Sequence, residues 1–135
     1  MQGFDLKLDE LKKALTRLKE AAHLPKTDIV RDSTIQRFEF TVELAWKVLQ
    51  KQIRQSGLED PVSPKAIFRE GARLGLVQDP EAWIQFVDDR NLSSHTYKED
   101  LAEKVYQSAV RLPPYADALI QAVEAANSSP QKTSS

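Results

Sequence analysis

The chain contains no cysteine. That excludes disulfides, zinc–thiolate sites and thiol nucleophiles, and it leaves no redox clue to compartment. There is no excess of charge of either sign. The 19 Lys and Arg residues against 20 Asp and Glu give a formal net charge of −1. A protein held on nucleic acid by its overall charge would be basic, so any RNA contact has to come from a local patch. No apolar run approaches the roughly 20 residues needed to span a bilayer, and no membrane association is expected. The opening Met1-Gln2-Gly3-Phe4-Asp5 lacks the basic-then-apolar pattern of a secretory signal. A cytoplasmic location is the expectation. Strand alternation, internal repeats and long linkers are also missing. What remains is 135 residues, 41% hydrophobic and 29% charged, the size and composition of one globular domain with a sizeable core.

Every periodic segment has the helical period. Leu8, Leu11, Leu15, Leu18 and Ala22 recur at three and four residues and form one stripe on a first helix, which His23-Leu24-Pro25 ends. Asp32 or Ser33 is a candidate cap for the second helix, with an earlier start near Asp28 as the alternative. This helix runs to about Ser56-Gly57. Its core stripe is Ile35, Phe38, Val42, Ala45, Trp46, Leu49 and Ile53; Phe40, Leu44 and Val48 form a second stripe roughly opposite. A helix with two apolar faces is central in its bundle or shared with a partner. The second stripe therefore marks a candidate homodimer interface.

Glu59-Asp60-Pro61 reads as a loop. Ser63-Pro64 and Asp79-Pro80 each pair a capping side chain with proline at the first helical position, opening a third and a fourth helix. Gly75 is the expected stop of the third. Trp83, Phe86 and Val87 are the core residues of the fourth; Trp46 and Trp83 follow core spacing. A fifth helix starts near Lys98 and carries Leu101, Val105 and Leu112. Pro113-Pro114 should kink or break it before Tyr115 to Ala126 resume the pattern. The expected fold is all-α, an antiparallel up-and-down bundle of four to five main helices over residues 1–126, with 127–135 as a flexible polar tail.

The chemistry is concentrated in Arg90-Asn91-Leu92-Ser93-Ser94-His95-Thr96-Tyr97, which holds one of only two histidines. Arginine grips phosphate with a planar fork of donors. Histidine moves protons near neutral pH. Together they supply a proton carrier and a charge clamp, enough for RNA cleavage without a metal. Tyr97 adds a modifiable hydroxyl. If the fourth helix continues through the octet, Arg90 shares a face with Trp83, Val87, Ser94 and Tyr97. His95 then falls one turn after Asn91, and about 140° around the helix from Arg90. One helix does not aim both at one point, whereas two copies across a symmetry axis would form a composite cleft.

A structural reading stands beside this one. In it Arg90 pairs with Asp88, Asp89 or Glu99, His95 caps a helix end and Tyr97 packs. His23, in the last turn before Pro25, reads as a structural complement to the helix dipole. Asp88 and Asp89 point about 100° apart on a helix, which argues against a metal site. No metal and no cofactor are expected. Lys65, Arg69 and Arg73 line one face of the third helix at four-residue spacing. They are a solvated face or a phosphate-tracking strip.

The octet resembles the Arg-x4-His-x-Tyr signature of HEPN proteins, in the HepT-like branch. The segment Ile35-Gln36-Arg37-Phe38-Glu39-Phe40-Thr41-Val42-Glu43-Leu44-Ala45-Trp46-Lys47 resembles the second helix of the nucleotidyltransferase substrate-binding proteins within that superfamily. Ser63-Pro64-Lys65-Ala66-Ile67-Phe68-Arg69-Glu70 is similar to the same branch. The resemblance runs from about Leu6 to Leu119. It implies a mostly antiparallel helical bundle, a homodimer, and an MNT-type nucleotidyltransferase antitoxin as partner. It further implies a metal-independent endoribonuclease toxin with Arg90 and His95 as catalytic residues, Asn91 as the supporting polar residue, and Tyr97 as acceptor of AMP from the partner. The alternative is a non-catalytic substrate-binding subunit of a two-component nucleotidyltransferase.

Overall fold

The computed structural model describes residues 3–57, 61 and 63–128, with side chains from Leu6 onward. Glu59 and Asp60 of the expected loop, and residues 129–135 of the expected tail, lie outside the described residues. The described residues form five α-helices and one 3-10 turn, with no strand among them. Helix α1 spans Gly3–Ala22 and α2 spans Asp28–Gln55. Thr27 caps α2 with its hydroxyl, which accepts from Val30 N at 3.1 Å. The start near Asp28 is therefore the observed one. Asp32 and Ser33 fall inside the helix.

Helices α3 (Pro64–Arg73) and α4 (Pro80–Leu92) begin as their sequences indicate. Ser63 Oγ accepts from Ala66 N at 3.2 Å and Asp79 Oδ1 from Ala82 N at 3.1 Å. Gly75, at φ 83°, closes α3 in a conformation that side chains other than glycine rarely adopt. Gly71 has a different role. A Cβ there would stand 2.9 Å from Val77 Cγ2 and 3.1 Å from Leu49 Cδ2, so its missing side chain lets α3 approach α2.

Helix α5 spans Glu99–Ser128 without interruption. Of the kink or break expected at Pro113-Pro114, the break does not occur. Proline removes two backbone donors there, but Leu112 and Ala116 on either side are fully buried, and packing of both halves against the bundle holds the helix together. Asn127, expected in the tail, belongs to α5 and donates to Gln52 Oε1 at 3.1 Å.

The ion pairs record the topology. Lys12–Glu124, Lys19–Asp117 and Lys26–Glu103 run α5 antiparallel to α1. Arg31–Glu99 at one end and Asn127–Gln52 at the other run it in the same direction as α2. The bundle is thus antiparallel between α1 and its neighbours. The α3–α4 segment carries the chain back so that α5 starts beside the start of α2. Lys26 donates to Glu103 Oε2 at 2.6 Å and, with Gln107, holds that carboxyl below the usual carboxylate range.

The core is continuous. Leu11, Leu18, Phe38, Leu49, Ile53, Phe68, Phe86, Val105 and Leu112 are fully buried. An aromatic cluster fixes α4 in it. Phe68 stacks on Trp83 at 4.7 Å, and Phe86 meets the edges or faces of Phe38, Trp83 and Tyr115 at 6.3, 5.6 and 5.3 Å. Trp46 packs partly buried against the same core. Among the described residues no helix is long and apolar enough to cross a membrane.

Candidate functional site

Helix α4 ends at Leu92, and Ser93–His95 form a 3-10 turn before α5 begins at Glu99. The octet therefore does not continue as one helix, and Arg90 and Tyr97 do not share a face two turns apart. Its own side chains explain the stop. Ser93 Oγ donates to the Arg90 carbonyl at 2.6 Å, and Thr96 Oγ1 donates to the Ser93 carbonyl at 3.1 Å. Short hydroxyl side chains that bond to nearby backbone compete with helix continuation. The Lys98 N–H, bonded to the His95 carbonyl at 3.1 Å, closes the turn.

This turn puts the polar residues outside. Asn91, His95 and Tyr97 are exposed, Tyr97 to 77%. The structural alternative, in which Tyr97 packs, does not hold. The rings of His95 and Tyr97 lie 6.1 Å apart, edge to face. A groove of about 420 Å³ runs between the turn and α2, lined by Ser93 and Thr96 from the turn and by Asp32, Gln36 and Glu39 from α2; His95 and Tyr97 are not part of its lining.

Arg90 is held from α2. Its Nη2 donates to Glu43 Oε1 at 2.9 Å, and Lys47 stands 3.3 Å from the other oxygen of that carboxylate. None of the three acids that the local sequence offers is the partner. Asp88 pairs with Lys65 at 2.6 Å, and Glu99 with Arg31 at 2.6 Å. Asp89 is buried, accepting from Gln85 Nε2 at 3.0 Å and from Ser108 Oγ of α5. Arg90 Nε is buried with no acceptor. Glu43 lies 47 residues from Arg90, so no local spacing points to it, although it falls within the segment that resembles the second family helix.

Other expected residues are placed differently. Lys65 is paired with Asp88, and both oxygens of Glu70 take the Arg73 guanidinium. The strip Lys65, Arg69, Arg73 is therefore not a run of three free cations; Arg69 is exposed. Phe40 is 54% exposed and Leu44 partly so, and with Ala14, Lys13, Arg17 and Arg37 they line a second groove of about 320 Å³ between α1 and α2. Val48 is fully buried in the core and does not belong to that face. The reason is position. Each four-residue step drifts about 40° around the helix, so Val48 sits about 80° from Phe40, on the side that the bundle encloses. His23 Nδ1 lies 2.8 Å from the Lys19 carbonyl at the end of α1, the structural place expected of it. Among the described residues no group of three His, Cys, Asp or Glu side chains is arranged to hold a metal ion.

An all-α bundle that displays an Arg-x4-His-x-Tyr turn beside an open groove defines a class of helical domain. Residues 6–125 match the family described as nucleotidyltransferase substrate binding protein like, and the chain belongs to that family. A Haemophilus influenzae protein named probable ribonuclease HepT is 38% identical over 86 residues, which cover 58% of this chain and 59% of that protein. The chain thus spans less than two thirds of that relative's length. A crystal structure of a Thermus thermophilus protein is 41% identical, with a TM-score of 0.71 over 86% of this chain and 97% of the other. A Haemophilus influenzae structure, described as revealing the fold of a substrate binding domain of a nucleotidyltransferase, is 26% identical. Its TM-score is 0.68 over 90% of this chain and 96% of the other.

Proposed function

We propose that this chain is a HepT-like toxin: a metal-independent endoribonuclease, neutralised when a nucleotidyltransferase partner transfers AMP to Tyr97. The observation that carries the reading is the octet turn, which exposes His95 and Tyr97 together while Arg90 is held at its base. The family and the relative named a probable ribonuclease support it. In the reaction the 2′-hydroxyl of RNA attacks the adjacent phosphorus as its proton is taken up. The bond to the 5′-oxygen breaks, and that oxygen leaves protonated. The products carry a 2′,3′-cyclic phosphate and a 5′-hydroxyl. His95 carries the proton, Arg90 stabilises the charge that develops on phosphorus-bound oxygen, and Asn91 supports the site. The enzyme acts in the cytoplasm as a homodimer through the face of Phe40 and Leu44, which brings two octets to one cleft.

A second reading is favoured by one observation. The structural relative of 26% identity is described by the fold of a nucleotidyltransferase substrate-binding domain. On that reading the chain presents a substrate to its partner and has no activity of its own. Expression of the chain alone separates the two. The toxin reading expects arrested growth that His95→Ala relieves. Normal growth, with a stable unmodified complex on co-expression, is the result of the binding subunit.

A further inference from the structure

The pairing of Arg90 is incomplete in a telling way. A guanidinium presents Nε and one Nη as a parallel pair of donors, and a structural carboxylate takes both. Glu43 takes Nη2 alone and leaves Nε buried without an acceptor. A buried donor without a partner disfavours the arrangement that leaves it so. Glu43 itself is about one-third exposed, and its second oxygen faces Lys47, one turn along α2. That carboxylate therefore already has an alternative cation at 3.3 Å. A permanent structural pair would be buried and bidentate; this one is neither.

The geometry points to Glu43 as an exchangeable counter-anion, a latch that RNA phosphate displaces from Arg90 while Lys47 retains the released carboxylate. The inference rests on the ribonuclease reading and adds a regulatory element to it. Carboxylate and phosphate are acceptors of the same kind for the same fork. The resting site holds its arginine in place with an internal anion and yields it to a ligand with more acceptor oxygens. Lys47 lowers the cost of exchange because Glu43 is never left without a counter-charge. The latch also keeps the arginine from holding stray anions, which discriminates in favour of a multivalent backbone.

The test uses a 2′-O-methyl oligoribonucleotide, which lacks the attacking hydroxyl, as a competitive inhibitor of RNA cleavage by the full chain. Without the latch, phosphate no longer competes with a carboxylate. The Glu43→Gln variant is expected to bind the inhibitor about five-fold more tightly, the scale of one partly exposed ion pair. Glu39→Gln removes the same charge one turn earlier, from the groove lining, and should tighten binding less. Lys47→Gln should weaken binding in the native chain, because Glu43 then stays on Arg90, and should have no effect in the Glu43→Gln background. Equal weakening by Lys47→Gln in both backgrounds would mean that Lys47 touches RNA directly, and would overturn the latch. So would a Glu43→Gln chain that binds no tighter than Glu39→Gln, or one that no longer cleaves. An unsubstituted chain that cleaves no RNA at all fails differently, since it removes the ribonuclease reading on which the latch rests.

Discussion

The ring of Tyr97 stands edge to face with that of His95, 6.1 Å between centroids, on the turn that follows α4. This relationship changes how modification of the tyrosine would act. With the helix ended at Leu92, AMP on the Tyr97 hydroxyl has no shared helix face to bring it onto Arg90. It would add an anionic phosphate and a bulky base beside His95 instead. Co-expression with the partner should therefore raise the chain's mass by one or more AMP units, located at Tyr97 by fragmentation. Tyr97→Phe should stay unmodified and escape neutralisation. A modified Tyr97 in a chain that still cleaves RNA at full rate would contradict this.

The proposed homodimer would rest on Phe40 and Leu44. Burying such side chains contributes roughly 1.5–3 kcal/mol each. Leu44→Glu or Phe40→Glu should leave the monomer folded and weaken the dimer, seen as a fall in mass by light scattering at micromolar concentration. Val48→Glu should act otherwise. It places a charge in the core and should unfold the chain. A monomeric mass for the unsubstituted chain would remove the composite cleft.

Asp89 ties the base of the octet to α5. Ser108→Ala takes away one of its two donors and leaves a buried carboxylate oxygen unpaired. Such a loss costs about 1–3 kcal/mol. The expected outcome is a lower urea midpoint with an unchanged slope. A stability equal to that of the parent would contradict this role for Ser108.

Local signals were legible wherever one residue acts on its near neighbours. Ser63-Pro64 and Asp79-Pro80 each start a helix because cap and proline act within a single turn. The stripe from Ile35 to Ile53 is core because helical periodicity alone places it on one side. What the sequence hid depends on distant packing. Pro113-Pro114 reads as a kink or break, yet the helix is unbroken, because buried neighbours on both sides outweigh two lost hydrogen bonds. Val48 shares a stripe with Phe40 on paper, but the bundle wraps far enough around α2 to enclose it. The partner of Arg90 is the sharpest case. Three acids stand close in sequence, each is engaged elsewhere, and the observed partner comes from another helix. The octet itself was legible as a motif, though not as a turn, because its serine and threonine hydroxyls bond back to their own backbone.

Cleavage of RNA by the purified chain in the presence of EDTA decides whether the octet forms a metal-independent nuclease site. The expected products end in 2′,3′-cyclic phosphate, in a yield undiminished by chelation. The rate should fall by about 10²–10⁴ in His95→Ala, and markedly in Arg90→Lys, because an ammonium cannot reproduce the fork. Full activity in His95→Ala, activity lost on chelation, or no cleavage by the unsubstituted chain would contradict such a site.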